Sequence, residues 1–135
     1  MESTEYRARV VAQMVVHVTV SAVDDERTDA AARHVLAALR DFPEVASVGL
    51  ASGGPAPDGA RSGEVVALGG LVVTMLSQPE AVGAVMRFVA DRVRRGGGSV
   101  EVQVDGQVLK IERATAEQVD VLVDAFVRKV FDQDS

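Results

Sequence analysis

The 135-residue chain contains no cysteine and no tryptophan. Without cysteine there is no disulfide, no thiolate nucleophile and no thiolate metal ligand, which fits a reducing compartment. Aromatic residues make up only 4% of the chain, so stacking platforms for bases or sugars are not expected. Its two histidines, His17 and His34, are too few for a histidine-based metal site. We therefore predict neither a metal nor a cofactor.

The balance of charge and the lack of a long apolar run exclude two further classes. The formal net charge is -6, whereas nucleic-acid binding requires clustered cations, so no nucleic-acid partner is predicted. The most apolar stretch, residues 65–76, is shorter than the roughly 20 residues that span a bilayer. The first residues do not follow the pattern of a signal peptide. These features predict a cytoplasmic protein that does not enter a membrane.

The first half of the chain predicts two strands around a helix. Alternating apolar residues predict a strand over residues 14–20. Asp24 and Asp25 predict the start of a helix over residues 26–40, because acidic side chains cap and stabilise helix N-termini. A second strand is predicted over residues 45–51. Residues 52–63 are rich in glycine and proline, which is typical of a loop.

Residues 65–76 carry no charge, and we predict that they form a helix that is apolar on all sides. Such a helix must be covered. It is either the central helix of the core or an interface for another protein or a second copy, and the sequence leaves both alternatives open. Ser77 and Glu80 have the spacing of a capping box, which predicts another helix from about Gln78. The one basic patch consists of Arg87, Arg92, Arg94 and Arg95. It either complements the dipole of that helix or binds an anionic partner.

The last third of the chain predicts a hairpin and a helix. Asp105-Gly106 is typical of a type I′ turn between two strands within residues 100–113. The resulting register places Val102 opposite Leu109 and Glu101 opposite Lys110, so apolar meets apolar and negative meets positive. Thr115 and Gln118 have capping-box spacing and predict the start of the final helix.

These elements predict a single α+β domain over residues 10–132, after a flexible N-terminal segment at residues 1–9. We predict a two-layer sandwich in the order β-α-β-α-α-β-β-α, with a mixed or antiparallel sheet of about four strands and helices on one face. The predicted core comprises Val16, Val18, Leu36, Leu39, Val85, Val89, Val102, Leu109, Ile111, Leu122 and Phe126.

The sequence contains no recognisable catalytic constellation. None of the candidate serines stands in a Gly-x-Ser-x-Gly pattern beside a base, and the glycine-rich loop lacks the phosphate-binding Gly-x-x-x-x-Gly-Lys pattern. The carboxylates of Asp24, Asp25 and Glu26 are better explained as helix capping than as an acid and base pair. We therefore predict that the protein is not an enzyme.

Several segments nevertheless occur in a familiar order. They are the strand at residues 16–20 with its helix ending at residues 41–44, the loop at 59–63 before the apolar stretch at 66–73, the basic helix end at 92–95, and the hairpin at 99–112 before the helix at 122–127. In their order and spacing, these segments resemble the effector-associated constant component 1 family of bacterial conflict systems.

The resemblance implies a non-enzymatic adaptor, part of an antiviral defence system, that docks or regulates an effector protein encoded nearby. It implies no catalytic residues, and homo-oligomers are compatible with it. The alternative is a small-molecule or nucleotide sensor that holds its ligand between the loop at residues 52–63 and the sheet. The residues predicted for the protein interface are Val65, Leu68, Leu71, Val72, Met75, Arg87, Arg94 and Arg95.

Overall fold

The computed structural model describes residues 12–51 and 68–132. The elements are β1 (Gln13–Ser21), α1 (Asp25–Leu39), β2 (Val45–Leu50), β3 (Gly70–Leu76), α2 (Pro79–Arg95), β4 (Ser99–Val104), β5 (Gln107–Glu112) and α3 (Ala116–Phe131). The predicted flexible segment at residues 1–9 and the predicted loop at residues 52–63 lie outside the described residues.

The strands form one antiparallel sheet in the order β2-β3-β1-β4-β5. The three helices pack on one face of this sheet, and their buried side chains join those of the strands in a single core. The predicted α+β class with two layers is confirmed. The sheet has five strands rather than about four, because the fourth element along the chain is a strand.

The predicted helix at residues 65–76 is wrong from residue 70 onward, where the chain forms β3. β3 lies between β1 and β2, so its backbone is hydrogen-bonded on both sides. Its side chains at Leu71, Val73 and Met75 are fully buried against the helices. A short apolar run is compatible with a buried helix and with an interior strand, and periodicity alone does not separate the two. Residues 65–67 lie outside the described part of the chain.

Two glycines allow β3 and β4 to begin close beside the end of β1. Gly69 has a φ of 80°, and its carbonyl accepts a hydrogen bond of 2.9 Å from the Val20 amide. A Cβ atom at Gly69 would lie 2.2 Å from the Val20 carbonyl oxygen, and one at Gly98 would lie 2.2 Å from the Ser21 carbonyl oxygen. Only a residue without a side chain fits such an approach between two backbones.

The hairpin formed by β4 and β5 confirms the predicted turn and register. Asp105 and Gly106 both have positive φ angles, 51° and 80°, as a type I′ turn requires. Val102 lies opposite Leu109, and Glu101 lies opposite Lys110. The turn chemistry and the pattern of alternating residues therefore specify the same pairing.

Two of the three predicted helix starts are capped as expected. The Asp24 carboxylate accepts a hydrogen bond of 2.8 Å from the Arg27 amide at the start of α1. At the start of α3, Thr115 and Gln118 form a reciprocal capping box. The predicted capping box at the start of α2 is wrong, because Gln78 occupies the N-cap position and makes no side-chain capping bond. Pro79 follows as the first helical residue, where its missing N–H leaves no donor unsatisfied.

The predicted core is largely confirmed, with one exception on α3. Leu36 and Leu109 are partly buried, and Leu122 is 38% exposed instead of buried. The buried face of α3 is rotated away from Leu122, and its members are Val119, Val123, Phe126, Val127 and Val130. Leu122 is therefore an apolar side chain at the surface.

One buried hydroxyl joins α1 to the end of β1. Thr28 is 7% exposed, and its Oγ1 accepts a hydrogen bond of 2.8 Å from the Ala22 amide. We expect Thr28→Val to lower the free energy of unfolding by about 1 kcal/mol, because the amide then loses its acceptor. Thr28→Ser keeps the acceptor and serves as the control in urea unfolding. If the valine variant were at least as stable as the serine variant, this hydrogen bond would not be a source of stability.

Candidate protein-interaction surface

The interface residues predicted on the apolar stretch do not share one surface. Leu71 and Met75 are 0% exposed and face the helices, so their assignment to an interface is corrected to the core. Val72 lies between them in sequence and faces the opposite side, because side chains alternate along a strand. Leu68, just before β3, is 36% exposed. Val65 lies outside the described residues.

Arg87, a predicted interface residue on α2, contacts two carboxylates of α3. Its Nε lies 3.4 Å from Asp120 Oδ1, and its Nη2 lies 3.5 Å from Asp124 Oδ1. Arg128 also contacts Asp124, at 3.1 Å. These exposed ion pairs join the outer faces of α2 and α3, and pairs of this kind stabilise a fold only weakly. Arg87 therefore has counter-charges within the domain.

Arg94 and Arg95 share one carboxylate on α2. Arg94 Nη2 donates a hydrogen bond of 2.6 Å to Asp91 Oδ1, and Arg95 Nη2 lies 3.1 Å from Asp91 Oδ2. The Arg94 hydrogen bond, aided by the charge of Arg95, holds the pKa of Asp91 below its ordinary value despite partial desolvation of the carboxylate. The predicted basic patch thus has its own counter-charges, which favours the structural explanation over an anionic partner.

Arg92, the remaining arginine of this helix end, lies between α1 and α2. Its guanidinium lies 5.7 Å from the centroid of the Phe88 ring and contacts His34 Nε2. The Phe88 ring in turn packs against Phe42, with centroids 5.1 Å apart. Cation–π and aromatic contacts of this type stabilise the junction of two elements. His34 is exposed and contacts Arg92 at this junction.

The face of the sheet opposite the helices is open among the described residues. Its central row crosses all five strands, and adjacent residues in it are paired: Gly49, Val72, His17, Gln103 and Val108. Val72 is half-buried, His17 and Gln103 are exposed, and Val108 is 54% exposed. We refer to this side of the sheet as the open face.

Apolar and polar residues are unevenly distributed on the open face. In the row next to the central row, Val15 of β1 is 46% exposed and pairs with Thr74 of β3, so that it lies diagonal to Val72. On the other side, Glu101 pairs with Lys110. The open face therefore presents an apolar centre over β1 and β3 beside a polar margin that carries both charges.

The residues Val15 and Val108 of this surface are not among the predicted interface residues, although the sequence contains the signal for both. The alternation within β1 places Val15 with His17 away from the core, and the hairpin register places Val108 opposite Gln103. The predicted interface follows the predicted apolar helix instead, and that element is a strand whose larger side chains are buried.

A second exposed apolar site lies where β5 passes into α3. Val121 is 68% exposed and Leu122 is 38% exposed. Together with Arg113 and Gln118 they line a cavity of about 500 Å³ that opens to solvent beside the end of β5. Leu122 lies on the side of α3 away from the Arg87 ion pairs, and therefore toward the edge of the sheet.

Two findings concern other kinds of site. Within residues 12–51 and 68–132, no group of three or more histidine, aspartate or glutamate side chains is arranged to hold a metal ion. None of the helices in these two ranges combines the length and the apolar character needed to cross a membrane. The ligand site suggested for a sensor uses the loop at residues 52–63, which lies outside the described part of the chain.

Comparisons with protein-family models, with curated proteins and with solved structures give no match to this chain. The resemblance to the effector-associated family is therefore one of segment order alone. What the structure adds is the chemistry of its surfaces, among which the open face has a continuous row of paired residues across all five strands.

Proposed function

We propose that this protein is a non-enzymatic adaptor that docks an effector protein of a bacterial conflict system, and that the open face is its docking surface. Two things support the proposal. One is the resemblance in the order of segments. The observation that carries the choice of surface is that Val15, which is exposed, and Val72, which is half-buried, lie next to each other on a sheet whose other face is buried by helices. Val108 is exposed further along the same face, on β5.

The composition of the open face suits a protein partner. Interfaces between proteins commonly combine an apolar centre with a polar rim. Here Val15 and Val72 supply the apolar centre, while Glu101 and Lys110 supply a rim in which each charge has a cross-strand neighbour of opposite sign. A partner that fits has an apolar patch of its own, bordered by polar groups rather than by charges of one sign.

The rigidity of the sheet also favours docking. The residues of the open face stand on strands whose register is fixed on the opposite side by fully buried valines, including Val16 and Val18. A surface held in this way loses little conformational freedom when a partner binds, so more of the contact energy appears as affinity. The open face is thus pre-organised for recognition.

The experiment measures binding of the purified effector encoded beside this protein, by isothermal titration calorimetry. We expect the Val15→Glu, Val72→Glu double variant to weaken binding at least about tenfold, since it places two charges at the centre of the interface. Val23→Glu is the matched control. Val23 is 78% exposed, follows β1 and is not part of the open face, so its variant should bind like the unmodified protein.

Circular dichroism and urea unfolding establish that all three proteins are folded before binding is compared. Equal affinity of the double variant and the unmodified protein would remove the open face from the interface. If the unmodified protein fails to bind the neighbouring effector at all, the adaptor role itself is contradicted.

A further inference from the structure

The edge of the sheet at β5 offers unpaired backbone groups among the described residues. In the β4–β5 hairpin, Val104 and Gln107 flank the two-residue turn and exchange hydrogen bonds, as in other hairpins of this type. Hydrogen-bonding residues then alternate, so the N–H and C=O groups of Val108, Lys110 and Glu112 point away from β4. They form a regular row that another strand can join.

The two edges of the sheet differ in how well they are protected. At the β2 edge, the pairing with β3 shifts register between Val45 and Ser47, and such irregularities twist an edge away from new partners. β5 pairs with β4 without a shift over its whole length and contains neither proline nor glycine. Its two charged residues, Lys110 and Glu112, are of the kind that guards an edge, but they have opposite signs. The β5 edge is the more receptive one.

We propose that β5 pairs antiparallel with β5 of a second copy of this chain, around a two-fold axis at Ile111. The charges on the edge are the reason to choose a second copy as the occupant. In this register Lys110 of each copy lies opposite Glu112 of the other, so two pairs of opposite charge form at once. An interface with two-fold symmetry must be complementary to itself, and the sequence Lys110-Ile111-Glu112 meets this requirement.

Other registers are less favourable. Centring the axis on Lys110 gives a longer overlap but places the two Lys110 ammonium groups opposite each other, which is destabilising across a strand pair. Centring it on Leu109 places Lys110 opposite Val108 and leaves Glu112 without a charged partner. The pairing between the two β5 strands cannot continue beyond Glu112, because Arg113 has a φ of 54° and the extended backbone ends there. The register at Ile111 is the one in which both edge charges are matched.

Pairing at β5 also accounts for the exposure of Leu122. This side chain lies on α3 toward the edge of the sheet, beside the cavity at the end of β5. When two β5 strands join, the α3 helices of both copies come to the same side of the sheet and flank the axis. The apolar surface of Leu122 and its symmetry mate is then partly covered, which gives the backbone pairing an apolar component.

The dimer has a consequence for the proposed function, although it does not depend on it. A two-fold axis through an antiparallel pair within a sheet is perpendicular to that sheet. The ten strands of the dimer therefore form one continuous sheet with both open faces on the same side. Two docking surfaces on one side allow bivalent attachment to an effector that is itself oligomeric, which raises the overall affinity.

The experiment determines the molar mass of the purified protein by sedimentation equilibrium. The β5–β5 interface is small and its association is therefore weak, so the protein is measured at concentrations up to about 0.5 mM. We expect concentration-dependent dimers of the unmodified protein. In Glu112→Lys, Lys110 of each copy lies opposite the introduced lysine of the other copy. In Lys110→Glu, Glu112 of each copy lies opposite the introduced glutamate of the other copy. Each variant alone should be monomeric. Mixed together they restore both pairs of opposite charge, so the mixture should form heterodimers.

Glu80→Lys is the control for the change in net charge, because Glu80 lies in the first turn of α2 and not on β5. It should dimerise like the unmodified protein. The proposal is overturned if the unmodified protein is monomeric throughout this range, if Glu112→Lys dimerises as well as the control, or if the mixture of the two charge variants stays monomeric. Effector binding is not measured here, so failure of the dimer and failure of the adaptor role are distinguished.

Discussion

Gly69→Ala is expected to lower the free energy of unfolding by about 3 kcal/mol. Two effects combine at this position. The φ of 80° is unfavourable for any residue with a side chain, and the new Cβ would meet the Val20 carbonyl oxygen at 2.2 Å. Relief of that contact requires the start of β3 to move away from β1. The hydrogen bond from the Val20 amide to the Gly69 carbonyl would be lost with it.

Three other glycines separate these effects and serve as controls. Gly97 has a φ of 79°, but no atom lies within 4 Å of the place that a Cβ would take, so alanine there should cost only about 1 kcal/mol. Gly98 has the close contact, 2.2 Å to the Ser21 carbonyl oxygen, without a positive φ, and we expect a loss of about 2 kcal/mol. Gly49 has neither feature, and its alanine variant should differ from the unmodified protein by about 0.5 kcal/mol or less.

Urea unfolding followed by circular dichroism measures all four variants under the same conditions. The expected order of stability is Gly49→Ala, Gly97→Ala, Gly98→Ala and then Gly69→Ala as the least stable. A Gly69→Ala variant that is as stable as Gly97→Ala would mean that β3 and β1 do not approach each other as described. Because small domains are stable by only about 5–15 kcal/mol, a loss of this size is easily resolved.

The sequence predicts well those elements in which local signals agree. In the β4–β5 hairpin, the Asp105-Gly106 turn, the alternation of valines and the Glu101–Lys110 pair all specify one register, and that register is observed. The same holds for α1 and α3, whose capping residues and apolar periodicity indicate the same helix. Agreement between independent local preferences is what makes a segment predictable.

The prediction for β3 is wrong because its local signals do not separate a strand from a helix. The run from Gly70 to Leu76 is apolar on both faces, which is typical of an interior strand as well as of a buried helix. The deciding interactions are the hydrogen bonds to β1 and β2, which are distant in sequence. Gly69 would destabilise a helix. In the structure, its positive φ and its close approach to Val20 allow the chain to enter β3.

The candidate surfaces are less predictable than the fold, because exposure depends on which elements lie next to each other. In the sequence, Leu122 belongs to the apolar stripe of α3. In the structure it is exposed, and Val127 on the other side of that stripe is buried in the core instead. Arg87, one of the arginines of α2 predicted for the interface, finds its partners on another helix. Asp120 and Asp124 lie on α3 and come close to it only through helix packing.

The neighbouring substitutions Leu71→Asp and Val72→Asp are expected to have opposite outcomes. Leu71 is 0% exposed and lies in the core, so a carboxylate there has no water and no partner, and we expect a loss of more than about 4 kcal/mol. For a domain of ordinary stability this is enough to unfold much of the protein at room temperature. Val72 faces the open side of the sheet and is half-buried, so its variant should lose about 1 kcal/mol and stay folded.

Circular dichroism shows whether each of the two variants is folded, and urea unfolding measures its stability. The pair is informative because a period of two is the property that distinguishes β3 from the helix predicted for the same residues. Leu71→Ala is the control for side-chain size, and we expect it to lose about 2–5 kcal/mol while remaining less damaging than the aspartate. Similar stabilities of Leu71→Asp and Val72→Asp would contradict the assignment of these two residues to opposite faces. In that case Val72 would also lose its place at the centre of the proposed docking surface.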